Sequence, residues 1–276
     1  MKYSIAILLP TRGRTSALSR SVMSLINRAV KLDKVQLLLA FDDDDAEGIE
    51  HFQSELEPWL ISKKVNYDAQ IFEPMGYARL NEYVNALATA SDADWLMFWN
   101  DDAMMDTAGW DKQISDRTGQ FKCLSVHTHN DHPYSIFPIV PREWLDLLGY
   151  LSPHQISDAW LSQQAYLLDN YERIPVWVTH DRHDLTGNNN DATYQNRVMY
   201  EGNPNDPRDF HHMRWNLRRM EDVEKLSVYM ESRGIDTSWW KNVKLGTQDP
   251  WTKLQQNDVN NQCKQFQIPV NRPVAP

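Results

Sequence analysis

Three short apolar runs each break off into a charged or polar cluster, and that pattern limits the fold more than any other feature of the chain. Tyr3 to Leu9 runs into PTRGRT. Val35 to Phe41 runs into Asp42, Asp43, Asp44 and Asp45. Trp95 to Trp99 runs into Asn100, Asp101 and Asp102. Continuous apolar runs of this length suit strands buried on both faces. Helical spacing lies between them. Leu18, Val22, Leu25, Ile26 and Ala29 form one stripe, with Thr15 or Ser16 placed to cap it. Tyr77, Leu80, Val84 and Leu87 form another, on a helix that Gly76 opens. Asn66 to Phe72 reads as a further strand. Strands alternating with helices argue an α/β domain with a mainly parallel central sheet flanked by helices. Ligands of such sheets sit beyond the carboxyl ends of the strands. The three polar clusters fall at those ends.

The second half is less regular. Lys122 to Val126, Ile136 to Val140 and Val176 to Thr179 read as strands. REWLDLLG and SDAWLSQQAYLLDN read as helices, and Asp184 to Asn190 as a loop. Arg208 to Arg233 reads as one or two charged helices, and the tail from Asn257 as extended.

Composition excludes several classes. The formal net charge of -10 opposes general nucleic-acid binding, which needs phosphate neutralisation. Cys123 and Cys263 make no disulfide framework and suit a reducing compartment. The opening MKYSIAILLPTRGR turns charged too soon for a signal peptide, and no apolar run is long enough to span a membrane. The expectation is a soluble, cytoplasmic protein.

Each polar cluster has a chemical reading and an ordinary one. Two carboxylates at a strand end can hold a hard divalent cation, or can simply terminate a strand. FDDDD can accept from a nucleobase or ribose, or can be a solvated turn. Thr11, Arg12 and Arg14 offer phosphate and base contacts, or a surface loop. No Walker loop and no GxGxxG occurs. His127, His129, Asp131 and His132 could together bind zinc, which would suggest a hydrolase.

The order strand-PTRGR, strand-FDDDD, GYARLNEYVNALATASDADWLMFWNDD resembles the GT-A fold glycosyltransferases, especially the family 2-like group. Arg79 and Asn81 match that family's Arg-Asn, and Asp102 matches the last acid of its D-x-D. Asn100 stands where the first acid usually stands. The resemblance implies a nucleotide-sugar pocket lined by Thr11, Arg12, Asp42 or Asp43, Arg79, Asn81, Asn100 and Asp101. It implies a divalent cation, Mn²⁺ or Mg²⁺, at Asp102, with a late histidine. His180, ending a strand, is the first choice for that ligand, and His183 the alternate. In inverting members a carboxylate downstream opens a helix and serves as the base. Asp158, 56 residues after Asp102, fits that place, although it could be an ordinary first-turn acid.

The implied activity is sugar transfer from a nucleotide-diphosphate sugar, a UDP-sugar as first choice, to a glycan or other acceptor hydroxyl, with inversion. The implied organisation is a GT-A-like catalytic domain over 1–205, with a nucleotide-binding half at 1–106 and an acceptor half at 107–205. A helical extension and tail would fill 206–276. The alternatives are a nucleotidyltransferase on a related fold, a non-catalytic sugar- or nucleotide-binding protein, and a zinc hydrolase using His127 and His129.

Overall fold

The structure is a computed structural model that describes residues 2–128, 135–182, 186–187, 195, 203 and 205–247. Among them eight strands form one sheet in the order β3-β2-β1-β4-β7-β6-β8-β5. These are β1 Ile5–Pro10, β2 Val35–Asp42, β3 Asn66–Phe72, β4 Trp95–Phe98, β5 Ala103–Met105, β6 Cys123–Thr128, β7 Ile139–Pro141 and β8 Tyr171–His180. β3, β2, β1 and β4 are mutually parallel. β7 runs antiparallel to β4 and β6, β6 runs parallel to β8, and β5 runs antiparallel to β8. The apolar runs thus form a parallel half, and the less regular sequence a mixed half.

The alternation of side chains along each strand feeds two cores. Ile5, Ile7 and Leu9 face Leu18, Val22, Leu25 and Ile26 of helix α1 (Thr15–Arg28). Ala6 and Leu8 face the opposite layer. That layer holds α4 (Leu80–Thr89), α6 (Arg142–Leu148), α7 (Ser157–Leu167), α8 (Met213–Ser232) and α9 (Ser238–Lys244). Because both faces are covered, β1 is apolar throughout and β2 is apolar from Leu37 to Phe41. This is why they read as continuous runs.

Local departures have local causes. Neither Thr15 nor Ser16 caps α1. Arg14 occupies the cap position with no side-chain cap bond, since a guanidinium has no acceptor to offer the free N–H groups, and it turns to Asp101 instead. Gly76, at φ 65, opens a 3₁₀ turn over Tyr77–Arg79, so α4 starts only at Leu80. The 46–62 stretch is helical: α2 (Ala46–His51), a π turn (Phe52–Leu56) and α3 (Glu57–Ser62). α6 stops at Gly149, whose φ of 81 suits a residue without Cβ. α7 ends earlier than its sequence pattern suggests, before Asp169 at φ 51. α5 covers Trp110–Ser115. Among the described residues no helix is long and apolar enough to cross a membrane. His129, Asp131, His132, His183, Cys263 and the tail from Asn257 lie outside the described residues.

Candidate active site

The end of β4 does not simply surface. Asn100, Asp101 and Asp102 form a tight turn into β5, with the Ala103 N–H donating to the Asn100 carbonyl at 3.2 Å. Trp99 fixes its start from behind. Its Nε1 donates to Ser21 Oγ at 2.8 Å, and Ser21 Oγ donates to the Asn100 carbonyl at 3.1 Å. The two carboxylates are therefore buried, with Asp101 only 6 % and Asp102 7 % exposed.

Buried carboxylates need partners, and the partners are specific. Thr11 Oγ1 donates to Asp101 Oδ2 at 2.8 Å. Arg14 donates to Asp101 Oδ1 at 2.9 Å and to Asp102 Oδ2 at 3.2 Å. His180 Nε2 lies 3.1 Å from Asp102 Oδ1. Strand register explains the last contact. Ala103 sits opposite His180 in the β5–β8 ladder, and the Asp181 N–H donates to the Asp102 carbonyl at 2.8 Å. Burial and the neighbouring Asp102 charge raise the Asp101 carboxyl to about 6, against the pull of Arg14. Burial also works to raise Asp102, but His180 and Arg14 outweigh it and hold that carboxyl low. Asp102 is thus the better anion of the two.

The pair Asp102–His180 fits a divalent cation. Adjacent donors about 2.0–2.2 Å from an ion stand about 3 Å apart, and Oδ1 and Nε2 are separated by 3.1 Å. The carboxylate oxygen suits Mn²⁺ or Mg²⁺, and the imidazole nitrogen favours the transition metal Mn²⁺ over the harder Mg²⁺. Among the described residues no group of three or more such side chains gathers. The remaining coordination would have to come from a ligand or from water. Nδ1 of His180 is buried with no hydrogen-bond partner among the described residues.

The FDDDD cluster divides by position. Asp42 is buried at the end of β2, where it accepts from Arg12 at 2.6 Å and forms a short hydrogen bond with the Tyr83 hydroxyl. Burial, then Asp42, pushes that hydroxyl up to about 12, so it stays a donor. Arg12 also pairs with Asp44, which lowers the Asp44 carboxyl. Asp45 accepts from the Gly13 N–H at 2.8 Å and caps α2. Asp43 is exposed. The acidic run therefore clasps the PTRGR loop more than it faces solvent.

One cleft is lined by Thr11, Arg12, Arg14, Asp42, Asn100, Asp101, Asp102 and His180 on the sheet side. The same cleft is also lined by Tyr77, Leu80, Ile136, Gln155, Ser157, Asp158 and Arg182. Asp158 is in the first turn of α7, partly exposed, with Oδ1 accepting the Ala159 N–H at 2.8 Å. Asp43, Arg79 and Asn81 do not line the cleft. Arg79 is exposed and pairs with Glu82 through two hydrogen bonds, because the 3₁₀ turn directs it along α4. Asn81 donates to the Ser152 carbonyl at 3.3 Å, tying α4 to the loop before α7. His127 stacks on Trp177 with centroids 4.4 Å apart. Sequence reasoning offered Arg14 for phosphate and base contacts but not as the partner of the two buried acids, and it missed Tyr83, Gln155 and Arg182. The Arg at the end of PTRGR was a usable signal for the first. A tyrosine on a helical stripe reads as core, and the others sit in irregular segments.

His154 holds the loop that presents Asp158. Its Nδ1 accepts from the Ile156 N–H at 3.1 Å, so Nε2 carries the proton and donates to the Arg208 carbonyl at 3.0 Å. Burial lowers this imidazole to about 4. An unfolded histidine titrates near 6.5. Between those values the unfolded chain gains a proton that the folded one refuses. The contribution is therefore complete above about pH 6.5 and lost as pH falls towards 4, on the order of 3 kcal/mol in all. Urea melts should show stability falling over that range, and less steeply in His154→Gln. An equal slope in the variant would remove His154 as the source.

No family model matches the sequence, and no curated protein matches it. Solved structures do match. The mannosyltransferase PcManGT from Pyrobaculum calidifontis, in complex with GDP-Man and Mn²⁺, aligns over 96% of this chain and 84% of that one, with TM-score 0.53 and 9% identity. GalNAc-T7 with UDP, GalNAc and Mn²⁺ aligns over 88% of this chain and 57% of that one, with TM-score 0.53 and 11% identity. Residues 1–349 of S. aureus TarS, in complex with UDP, align over 64% of this chain, with TM-score 0.51 and 11% identity. The match spans 60% of that TarS chain. At these identities the likeness establishes the fold, and that fold is GT-A.

Proposed function

We propose that this GT-A chain is a glycosyltransferase that uses a divalent cation, Mn²⁺ or Mg²⁺, to move a sugar from a nucleotide-diphosphate sugar to an acceptor hydroxyl with inversion. One observation carries the reading. The Asp102–His180 pair, the Arg12–Asp42–Tyr83 cluster and Asp158 share a single cleft. Nucleotide-binding, charge-neutralising and proton-accepting groups are needed together in such a reaction. The structural neighbours in complex with UDP, or with GDP-Man and Mn²⁺, support it.

Thr11, Arg12 and Asp42 would hold the nucleoside, with Asp101 and Asn100 towards the ribose or sugar. Asp102 and His180 would hold the cation, which when bound supplies charge neutralisation at the leaving diphosphate. Asp158 would accept the proton of the acceptor hydroxyl as its oxygen attacks the anomeric carbon. The bond from that carbon to the diphosphate oxygen breaks on the opposite face, and the electron pair leaves with the nucleoside diphosphate. We assign donor binding to residues 1–106 and acceptor binding to 107–205. We assign residues 206–276 to an extension, of which the described helix α8 packs against α6 and α7. Cys123, a buried free thiol, suits a cytoplasmic setting.

The test is thermal stability against UDP, GDP, CDP and ADP, each with and without Mn²⁺. We expect one nucleotide to stabilise the protein only when metal is present, with UDP first in line. At 100 times Kd a ligand adds about 2.7 kcal/mol, which a melt resolves easily. No metal-dependent shift with any nucleotide would defeat the reading.

A further inference from the structure

We propose that Arg14 makes the hold of this chain on a divalent cation conditional on the nucleotide diphosphate. The inference rests on the cation site proposed at Asp102 and His180. Asp102 has two oxygens with different partners. Oδ1 faces His180 Nε2 at 3.1 Å, and Oδ2 faces the Arg14 guanidinium at 3.2 Å. The same guanidinium reaches Asp101 Oδ1 at 2.9 Å. All three side chains are largely enclosed, Arg14 with 13% of its side chain exposed and the two acids buried.

Two consequences follow. With Oδ2 turned to Arg14, Asp102 presents Oδ1 to a cation, so among the described residues one carboxylate oxygen and one imidazole nitrogen are placed to hold it. A cation arriving alone would also enter the field of a fixed guanidinium in a site shielded from solvent, where like charges repel strongly. Asp101 does not offset this as a ligand, because its two oxygens are turned to Thr11 and Arg14. A diphosphate changes both terms. It supplies the missing oxygens, and its negative charge turns the field of Arg14 from repulsive to attractive. Binding of metal and nucleotide are then linked, each tightening the other by the same factor.

The experiment is a titration of Mn²⁺ followed by its free-ion electron paramagnetic resonance signal, with and without UDP. The proteins compared are the parent, Arg14→Gln, Arg14→Met and Asp102→Asn. In the parent we expect UDP to tighten Mn²⁺ at least about tenfold. In Arg14→Gln we expect Mn²⁺ alone to bind about tenfold more tightly than in the parent, with a smaller gain from UDP. Arg14→Met, which keeps the apolar stem, should repeat this result, and a melt of each variant establishes that it is folded. Equal Mn²⁺ affinity with and without UDP in the parent would overturn the proposal without reference to any variant. So would Mn²⁺ alone binding Arg14→Gln and Arg14→Met no tighter than the parent. Failure of the underlying site looks different: Asp102→Asn would then bind Mn²⁺ as the parent does, in the presence of UDP as well as in its absence.

Discussion

Changing Asp158 to asparagine is expected to slow sugar transfer by about 10²–10⁴-fold, the usual contribution of a positioned base, while donor binding stays intact. The expectation comes from placement. Asp158 stands on the first turn of α7, in the cleft that Asp102 and Arg14 also line. Asparagine keeps the shape without the ability to take a proton. The loop before it is fixed twice, by His154 to the 208 segment and by Asn85, whose Oδ1 accepts from the Leu151 N–H at 2.8 Å. A change at Asp158 should therefore leave the donor side undisturbed. Two readouts separate the roles: the transfer rate at saturating donor, and the melting shift with nucleotide and Mn²⁺. A normal transfer rate would show that another group is the base. A lost melting shift would show that Asp158 serves donor binding.

Asp102→Asn should have the opposite signature. The Mn²⁺-dependent part of nucleotide stabilisation should vanish, with metal affinity falling at least about 100-fold, beyond what loss of an outer-shell partner costs. The size of the effect reflects how few other ligands the described residues offer. Asp102 and His180 are the proposed protein ligands, and Asp101 is committed to Thr11 and Arg14. The substitution removes one of two adjacent buried negative charges but also the charged partner of Arg14 and His180, so a melt of the variant accompanies the titration. Asp101 should then titrate lower, since part of its elevation comes from Asp102. An unchanged metal dependence would mean that the cation, if bound, sits elsewhere.

The parallel half of the sheet was legible because its strands are buried on both faces, and their polar ends were legible as an abrupt change of composition. β5 escaped notice because three residues carry no period, and its pairing with β8 joins positions far apart in sequence. That pairing places His180 against Asp102, so the sequence could suggest the histidine but not the contact. Arg79 illustrates a different limit. A helix starting at Gly76 would have turned it otherwise than the 3₁₀ turn does, and a few residues of phase decide between cleft and solvent. In FDDDD, composition alone could not separate buried Asp42 from exposed Asp43, because the division depends on where β2 ends and on Tyr83 arriving from α4.

The two cores lie on opposite faces of one sheet, and this arrangement bears on how such a chain can change over generations. α1, behind the acid turn, packs in one core, whereas α7, carrying Asp158, packs in the other beside α6 and α8. Mutations that reshape the second layer meet the first only through strand backbones that hydrogen bonding already fixes. Drift among α6, α7 and α8 can therefore try new partners on the Asp158 side while the residues around Asp102 are inherited unchanged. Ancestry would persist at the acid turn long after it had faded from the other side.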